Sequence, residues 1–317
     1  MQRFDQLNKN DEISVSIIIP TYNEAENIGT TLNMIVRQKQ TLCFNNRMVS
    51  INPEIIVLDS GSTDGTIDIV RAFQSTHNFV RLVTLKRFHH SLVRNLGGKI
   101  ARGVFLVFLN ADAIPANEYW LINLIKPMIM GICDAVFSRQ IPRKKLFHFE
   151  SAKVLAVYSR TSVLIDKNNY IRFYGKHGIL FSTVSCAIKR SIFERLGGFS
   201  KNVRINEDQE FAIRLLKQGF RIFYSAKSIV YHSHFEGLRK LFWRYFRFGY
   251  GWRTIRNLHR DFKLKHNSAS MMYRTLKYLL SIHDLANKNE DRSPLYIISQ
   301  LITPIIVTLA FLVGFNA

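Results

Sequence analysis

The sequence is poor in cysteine and in acid. Its three cysteines, Cys43, Cys133 and Cys186, are far apart and form no CxxC pair. A disulfide framework and a cysteine-based metal site are thereby excluded, and a reducing compartment is favoured. Also missing are a GxGxxG turn after the first apolar run and a GxxxxGK[ST] loop, so neither a dinucleotide fingerprint nor a P-loop is present. No internal repeat and no low-complexity linker interrupts the chain. No signal peptide is expected, because Met1 to Glu12 is polar and the first apolar run begins only at Ile13. With 47% hydrophobic and 21% charged residues over 317 positions, wholesale disorder is excluded and the length suits one large domain or two small ones.

The shortage of acids leaves 44 Lys and Arg against 23 Asp and Glu, a formal charge of +21. Such an excess implies nucleic acid, an anionic membrane surface or a phosphorylated substrate. It is concentrated from Gly237 to Lys277, which holds eleven Lys or Arg and one acid, Asp261. Soon after, Tyr296 to Phe315 carries no charge over about the length that spans a bilayer, although Gln300, Thr303 and Pro304 interrupt it. This run reads as a membrane helix or as a buried C-terminal helix. The basic stretch before it would mark the cytoplasmic side. Within it, Leu238, Leu241, Phe242, Tyr245, Gly249 and Trp252 fall on one helical face, with Lys240, Arg244 and Arg247 opposite. That pattern fits a membrane-surface helix or one packed on the rest of the protein with its basic face solvated.

Elsewhere, apolar runs alternate with helical patterns. Strands are expected at Ser14 to Pro20, Glu54 to Asp59, Val80 to Leu85 and Val104 to Leu109. Helices are expected after Asn23 (with Glu26 completing a capping pattern), from Thr66 to Phe73 and from Ser91 to Arg102. This alternation implies βαβ units and a mainly parallel sheet covered on both faces, with ligands beyond the carboxyl ends of the strands. Further on, Gly178 to Ile188 and Ile229 to His232 read as strands, and Ser191 to Leu196 and Glu207 to Gln218 as helices. The chain divides into a catalytic domain (1–235), a basic aromatic region for membrane surface or acceptor (236–293) and a hydrophobic segment, transmembrane or membrane-associated (294–317).

The polar clusters fall at the carboxyl edge of the expected sheet. Thr21-Tyr22-Asn23-Glu24 follows the first strand, and Asp59-Ser60-Gly61-Ser62-Thr63-Asp64-Gly65 the second. The second cluster reads either as a turn or as a nucleotide-binding loop. Without a phosphate-cradling glycine loop, a bound nucleotide needs acids for its base and ribose and a metal for its diphosphate. Asn110-Ala111-Asp112 leaves the fourth strand where a carboxylate can hold Mg²⁺ or Mn²⁺. Asn206-Glu207-Asp208-Gln209-Glu210 opens a helix, where acids complement the dipole or supply a general base. His232 and His234 close the last strand and read as metal or diphosphate ligands or as ordinary surface histidines.

In combination and in this order, these clusters resemble family 2 glycosyltransferases, over roughly Ser14 to Gly251. Within that family the likeness is to bacterial rhamnosyltransferases of surface polysaccharide assembly. It rests on Val57 to Thr66 (VLDSGSTDGT), Arg94-Asn95-Leu96, Phe108 to Pro115 (FLNADAIP), Ser138 to Arg143 (SRQIPR) and Tyr231 to His234. Tyr245 to Gly249 (YFRFG), followed by a basic stretch and an apolar tail, is similar to membrane-attached exopolysaccharide glycosyltransferases.

The resemblance implies a GT-A fold, a Rossmann-like α/β domain. It also implies inverting transfer of one sugar from a nucleoside-diphosphate donor (dTDP-rhamnose, or a UDP- or GDP-sugar) to a lipid-linked or surface-polysaccharide acceptor. It assigns Pro20, Thr21, Asn23 and Glu24 to the first nucleotide-binding segment, and Asp59, Ser62 and Asp64 to the base and ribose. Arg94 lies near the diphosphate or sugar, with Asn110 and Ala111 on the donor side. Asp112 and His232 hold Mg²⁺ or Mn²⁺. Asp208 is the catalytic base and Glu207 supports it. The first acid of the usual DxD triplet is replaced here by Asn110. No Q/RxxRW signature is evident near the basic region, which implies transfer of single sugars. Implied partners are a polyprenyl-linked saccharide and the cytoplasmic face of the bacterial inner membrane, and not nucleic acid. A sugar-1-phosphate nucleotidyltransferase would show a Gly-rich basic loop after the first strand, and a nucleic-acid-binding protein a recognised motif; neither occurs.

Overall fold

Ile17, Ile18 and Ile19 lie in β1 (Glu12–Thr21) and are all fully buried, yet they enter two different cores. Strand side chains alternate between faces, so Ile17 and Ile19 pack on one side of the sheet and Ile18 on the other. A strand covered on both faces reads as a continuous apolar run, which makes it visible in sequence. The computed structural model describes residues 12–44, 47–86, 89–143, 154–155, 157–233, 237–262 and 294–316. His234 and residues 263–277 of the basic stretch lie outside them.

β1 is central. Its neighbours β3 (Arg47–Asp59) and β5 (Phe105–Leu109) both run parallel to it. On the far side of β3, β2 (Thr41–Phe44) pairs antiparallel with its first part and β4 (Val80–Thr84) parallel with its last. Beyond β5 come β9 (Ser185–Lys189), β7 (Ala135–Ile141) and β10 (Ile222–Tyr231). β9 opposes both of its neighbours, whereas β10 is parallel to β7. Two short strands, β6 (Ile114–Pro115) and β8 (Val163–Ile165), pair antiparallel with opposite ends of β10. Of nine pairings only four are parallel. The sheet is mixed, which corrects the expectation of a mainly parallel one. A short buried run such as Ser185-Cys186-Ala187-Ile188-Lys189 needs the same apolar side chains in either direction, so its sense is not legible locally.

One face is covered by α1 (Ala25–Val36), α2 (Thr66–Thr76) and α4 (Trp120–Ile129), through Ile28, Leu32, Val70, Trp120 and Leu124. The other carries α3 (His90–Ile100), α5 (Tyr170–His177), α6 (Arg190–Arg195) and α7 (Glu207–Lys217). Its core includes Val93, Phe173, Phe193 and Phe211. α3 lies close to the sheet because Gly97 has no side chain; a Cβ there would strike Ile18 and Leu58. The same core takes in Trp252 and Ile255 of α8 (Leu238–Leu258) and Phe311 and Phe315 of α9 (Pro294–Asn316).

α8 buries Leu241, Tyr245, Gly249 and Trp252 as the helical pattern requires, whereas Leu238 is exposed. α8 and α9 cross with their backbones in contact. A Cβ at Gly249 would strike the Phe311 and Phe315 main chain, and one at Gly314 the Phe246 main chain. Among the described residues no helix is long and apolar enough to cross a membrane. A charge-free helix with one face packed on a neighbour looks the same in sequence as a membrane span, and here Val307, Ala310 and Phe311 are buried.

Candidate active site

The loops after β1 and β3 are laced to each other. α1 begins at Ala25, and its capping carboxylate comes from the other loop: Asp64 Oδ2 accepts the Ala25 N–H at 3.0 Å. Asp64 Oδ1 accepts the Thr66 N–H at 3.1 Å and the Thr66 hydroxyl at 2.5 Å, so one side chain serves the N-termini of α1 and α2. These bonds, the Thr66 hydroxyl foremost, hold the Asp64 carboxyl below its usual range. Asn23, expected as the cap, instead adopts a left-handed conformation (φ 52°). Its Oδ1 accepts the Thr63 N–H at 2.9 Å, and its N–H donates to Ser62 Oγ at 2.8 Å.

Asp59 is fully buried and engaged in the same way. Its Oδ1 accepts the Gly61 and Ser62 N–H groups, both at 2.9 Å, and its Oδ2 the Ser62 hydroxyl at 2.5 Å. Asn23, Asp59, Ser62 and Asp64, all expected to meet nucleotide, are thus brought together, with their polar atoms bonded within the two loops and the helix starts that follow them. Pro20 is buried in register with Leu58. Different hydroxyls remain open on this floor: Thr21 Oγ1 and Ser60 Oγ are buried and have no hydrogen-bond partner among the described residues. The Glu24 carboxyl accepts from Asn27 Nδ2 at 2.6 Å. Burial raises its pKa, the Asn27 bond opposes that rise, and Asp112 and Asp64 add to it.

At the end of β5, Asn110 Oδ1 accepts from Arg94 Nη2 at 2.9 Å. Arg94 Nη1 donates to Glu207 Oε1 at 3.1 Å, and the arginine is 4% exposed. Arg94 is therefore a buried brace between the strand end and the first turn of α7. A neutral Asn110 leaves the arginine's charge to Glu207. Asp208, next along, has an acidity set by its surroundings. Its Oδ2 accepts the Thr183 N–H at 3.3 Å and its Oδ1 the Gln209 N–H at 2.8 Å. Burial, with the Glu207 charge second, still pushes its carboxyl up to about 7. Glu210 serves structure: it pairs with Arg214 at 2.8 Å and meets His259 Nε2 at 3.0 Å. α8 backs this turn, with Asn206 Nδ2 donating to the Phe248 carbonyl at 2.9 Å.

Asp112 and His232 come together from 120 residues apart in sequence, Oδ2 to Nε2 at 3.4 Å. Between Asn110 and Asp112, Ala111 is buried and its carbonyl accepts the Thr31 hydroxyl at 2.7 Å. Among the described residues no group of three His, Cys, Asp or Glu could hold a metal. A carboxylate and an imidazole nevertheless suit an octahedral Mg²⁺ or Mn²⁺ whose other positions are filled by phosphate oxygens and water. Arg143 steadies this corner, its guanidinium donating to Asn27 Oδ1 and to the Asp112 carbonyl.

Sequence reasoning missed the segment from Leu180 to Val184, which ties the site together. The Thr183 N–H holds Asp208, the Val184 carbonyl accepts the Asn110 N–H at 2.9 Å, and the Phe181 carbonyl accepts from Gln209 Nε2 at 2.5 Å. Main-chain groups do this work, so no residue-type pattern could have marked them.

The profile described as "Glycosyl transferase family 2" matches residues 16–197. The O-antigen chain rhamnosyltransferase WbaN of Salmonella anatum is 31% identical over 239 residues, covering 74% of this chain and 70% of that protein. RfbN of Salmonella typhimurium, of the same description, is 30% identical, covering 74% of this chain and 71% of that protein. Among solved structures, the mannosyltransferase PcManGT of Pyrobaculum calidifontis, in complex with GDP-Man and Mn²⁺, superposes with a TM-score of 0.60 at 21% identity, covering 94% of this chain and 86% of that one. The nucleotidyltransferase and nucleic-acid-binding readings gain no support. With a GT-A sheet, its polar clusters at the carboxyl edge and this likeness along most of its length, the chain belongs to glycosyltransferase family 2.

Proposed function

We propose that this enzyme moves one sugar, with inversion, from a nucleoside-diphosphate donor to a lipid-linked or polysaccharide acceptor at the cytoplasmic face of a bacterial membrane. The observation that carries the reading is Asp208, a carboxylate held near neutrality on the same sheet edge as the separate Asp112–His232 pair. A group with a pKa near 7 is ionised enough to accept a proton and basic enough to keep it. The Asp208 carboxylate takes the acceptor hydroxyl's proton as that oxygen bonds to the anomeric carbon. The bond from that carbon to the diphosphate oxygen breaks, and the nucleoside diphosphate leaves with the electron pair. Asp112 and His232 would hold Mg²⁺ or Mn²⁺, and the ion when bound would supply positive charge beside the diphosphate. Thr21 and Ser60 offer open hydroxyls to the nucleoside, and Arg94 holds Glu207 and Asn110 in place behind the reacting groups. The Salmonella relatives, both described as rhamnosyltransferases, favour rhamnose as the sugar moved; dTDP-rhamnose and UDP- or GDP-sugars are the candidate donors.

Membrane attachment is supported by the C-terminal helices. From Leu238 to Leu258, α8 carries six Arg or Lys and no acid. α9 exposes Ile302, Ile305, Leu309 and Val313, spaced along one helical face away from its buried side. Basic charge beside an apolar stripe suits an anionic bilayer surface. Leu309→Glu with Val313→Glu should reduce co-sedimentation with vesicles containing phosphatidylglycerol; undiminished binding would reject this surface.

The reaction is tested by incubating the detergent-solubilised protein with UDP-, GDP- and dTDP-sugars, with and without Mn²⁺ or Mg²⁺, and measuring released nucleoside diphosphate. Metal-dependent release from one donor is expected. Neither release nor donor binding across the panel would overturn the reading.

A further inference from the structure

Behind His232 lies a buried amide that no part of the mechanism has used. Gln140, on β7, is 4% exposed, and its Oε1 sits 3.1 Å from His232 Nδ1. Its other end is anchored: Nε2 donates to the Tyr158 hydroxyl at 2.5 Å and to Ser182 Oγ at 3.0 Å. Tyr158 and Ser182 are themselves 7% and 6% exposed, so a missing partner in this chain of buried polar groups is costly. An amide has a donor end and an acceptor end, and with the donor end bound to two hydroxyls only the oxygen faces the imidazole. An oxygen there requires the proton on Nδ1. The lone pair of the neutral ring then lies on Nε2, the atom that faces Asp112 Oδ2 at 3.4 Å.

We propose that Gln140 is a positioning residue that sets the tautomer of His232, so that Nε2 and the Asp112 carboxylate together present lone pairs to a divalent cation. The inference rests on the metal reading above and adds what makes this histidine a ligand. Metal-bound imidazoles are oriented in the same way by an acceptor on their second nitrogen, and loss of that acceptor weakens metal binding roughly 10- to 100-fold. The same chain reaches toward the base. Ser182 is followed by Thr183, whose N–H holds Asp208, so the amide also joins the metal corner to the segment that seats the carboxylate.

The test uses the full chain in detergent with Mn²⁺ as probe, read by the electron paramagnetic resonance of unbound ion, alone and with UDP, GDP or dTDP. Gln140→Leu should lose roughly 10- to 100-fold in Mn²⁺ affinity. Gln140→Glu keeps an acceptor on Nδ1, while the Tyr158 and Ser182 hydroxyls can turn to donate, so it should stay within a few-fold of wild type. A residue that merely filled space would fail this pattern, since both variants keep a side chain of similar bulk and would leave Mn²⁺ affinity alike. Independently of any variant's folding, ¹⁵N spectra of histidine-labelled wild type should show His232 protonated at Nδ1. An Nε2–H tautomer, or equal Mn²⁺ affinity in wild type and Gln140→Leu, overturns this inference and leaves the metal reading intact. Wild type that binds no Mn²⁺ with any of the nucleotides overturns both.

Discussion

The two sides of the carboxyl edge differ in where their polar groups find partners. On the β1–β3 side, Asn23, Asp59, Ser62 and Asp64 lie within two short loops and bond to those loops' own main chain. Around β5, β7 and β10 the partners come from segments far apart in sequence: Arg94 pairs with Glu207, Asp112 with His232, and Asp208 accepts from the Thr183 main chain. The first arrangement lowers a carboxyl's pKa, as at Asp64, and the second raises one, as at Asp208. Local satisfaction builds a rigid cradle. Incomplete compensation of buried charge leaves a group ready to exchange a proton.

The largest test of this contrast is Asp208→Asn. Nucleoside diphosphate release coupled to an acceptor should fall roughly 10²–10⁴-fold, the usual contribution of a general base. Donor binding should be retained. The folded-state pKa of about 7 lies above the unfolded value of 3.8, so the unfolded chain gives up this proton first as pH rises. Wild type therefore loses stability relative to Asp208→Asn between those two pH values. Thermal melts across that range should show the variant gaining, and retained turnover or an unchanged melting difference would remove Asp208 as the strained base.

Next in size is Arg94→Met, which leaves Glu207 buried and unpaired. Breaking a buried ion pair in this way costs about 3–5 kcal/mol, measurable by denaturant unfolding. A loss below about 1 kcal/mol would mean that Arg94 is not the brace described, since that is the worth of an exposed pair.

The smallest effect belongs to Asp64→Ala, with the opposite pH sign. A lowered folded pKa contributes stability that is complete above the ordinary Asp range and disappears as pH falls through the lowered value. The melting-temperature gap between wild type and Asp64→Ala should accordingly close on acidification, while the gap for Asp208→Asn opens toward neutral pH. If the two gaps moved together, the contrast between the two sides of the edge would be lost.

Legibility in the sequence followed the same divide. The β1, β3 and β5 runs, and the loops that leave β1 and β3, were readable because apolar runs ending in polar clusters are local patterns. The direction of β9 was not, nor were β6 and β8, since short strands acquire their sense from their neighbours. Ser182 and Thr183 carry no distinctive spacing, and Gln140 lies in the Ser138 to Arg143 motif without any sign there of what it touches. Their importance comes from what lies across the sheet from them.

The order of residues along the chain was enough for an α/β domain with nucleotide-side loops at a strand edge, a family resemblance, and a short set of candidate acids and histidines. It was enough because period, turn chemistry and motif order are properties of neighbours along the chain. The folded chain was needed to establish that Arg94 braces Glu207 and Asn110, that burial raises the Asp208 carboxyl, that His232 faces Asp112, and that α9 packs against α8. Each of these depends on burial and on partners from distant segments, and electrostatic interactions in a dry interior are set by distance in space.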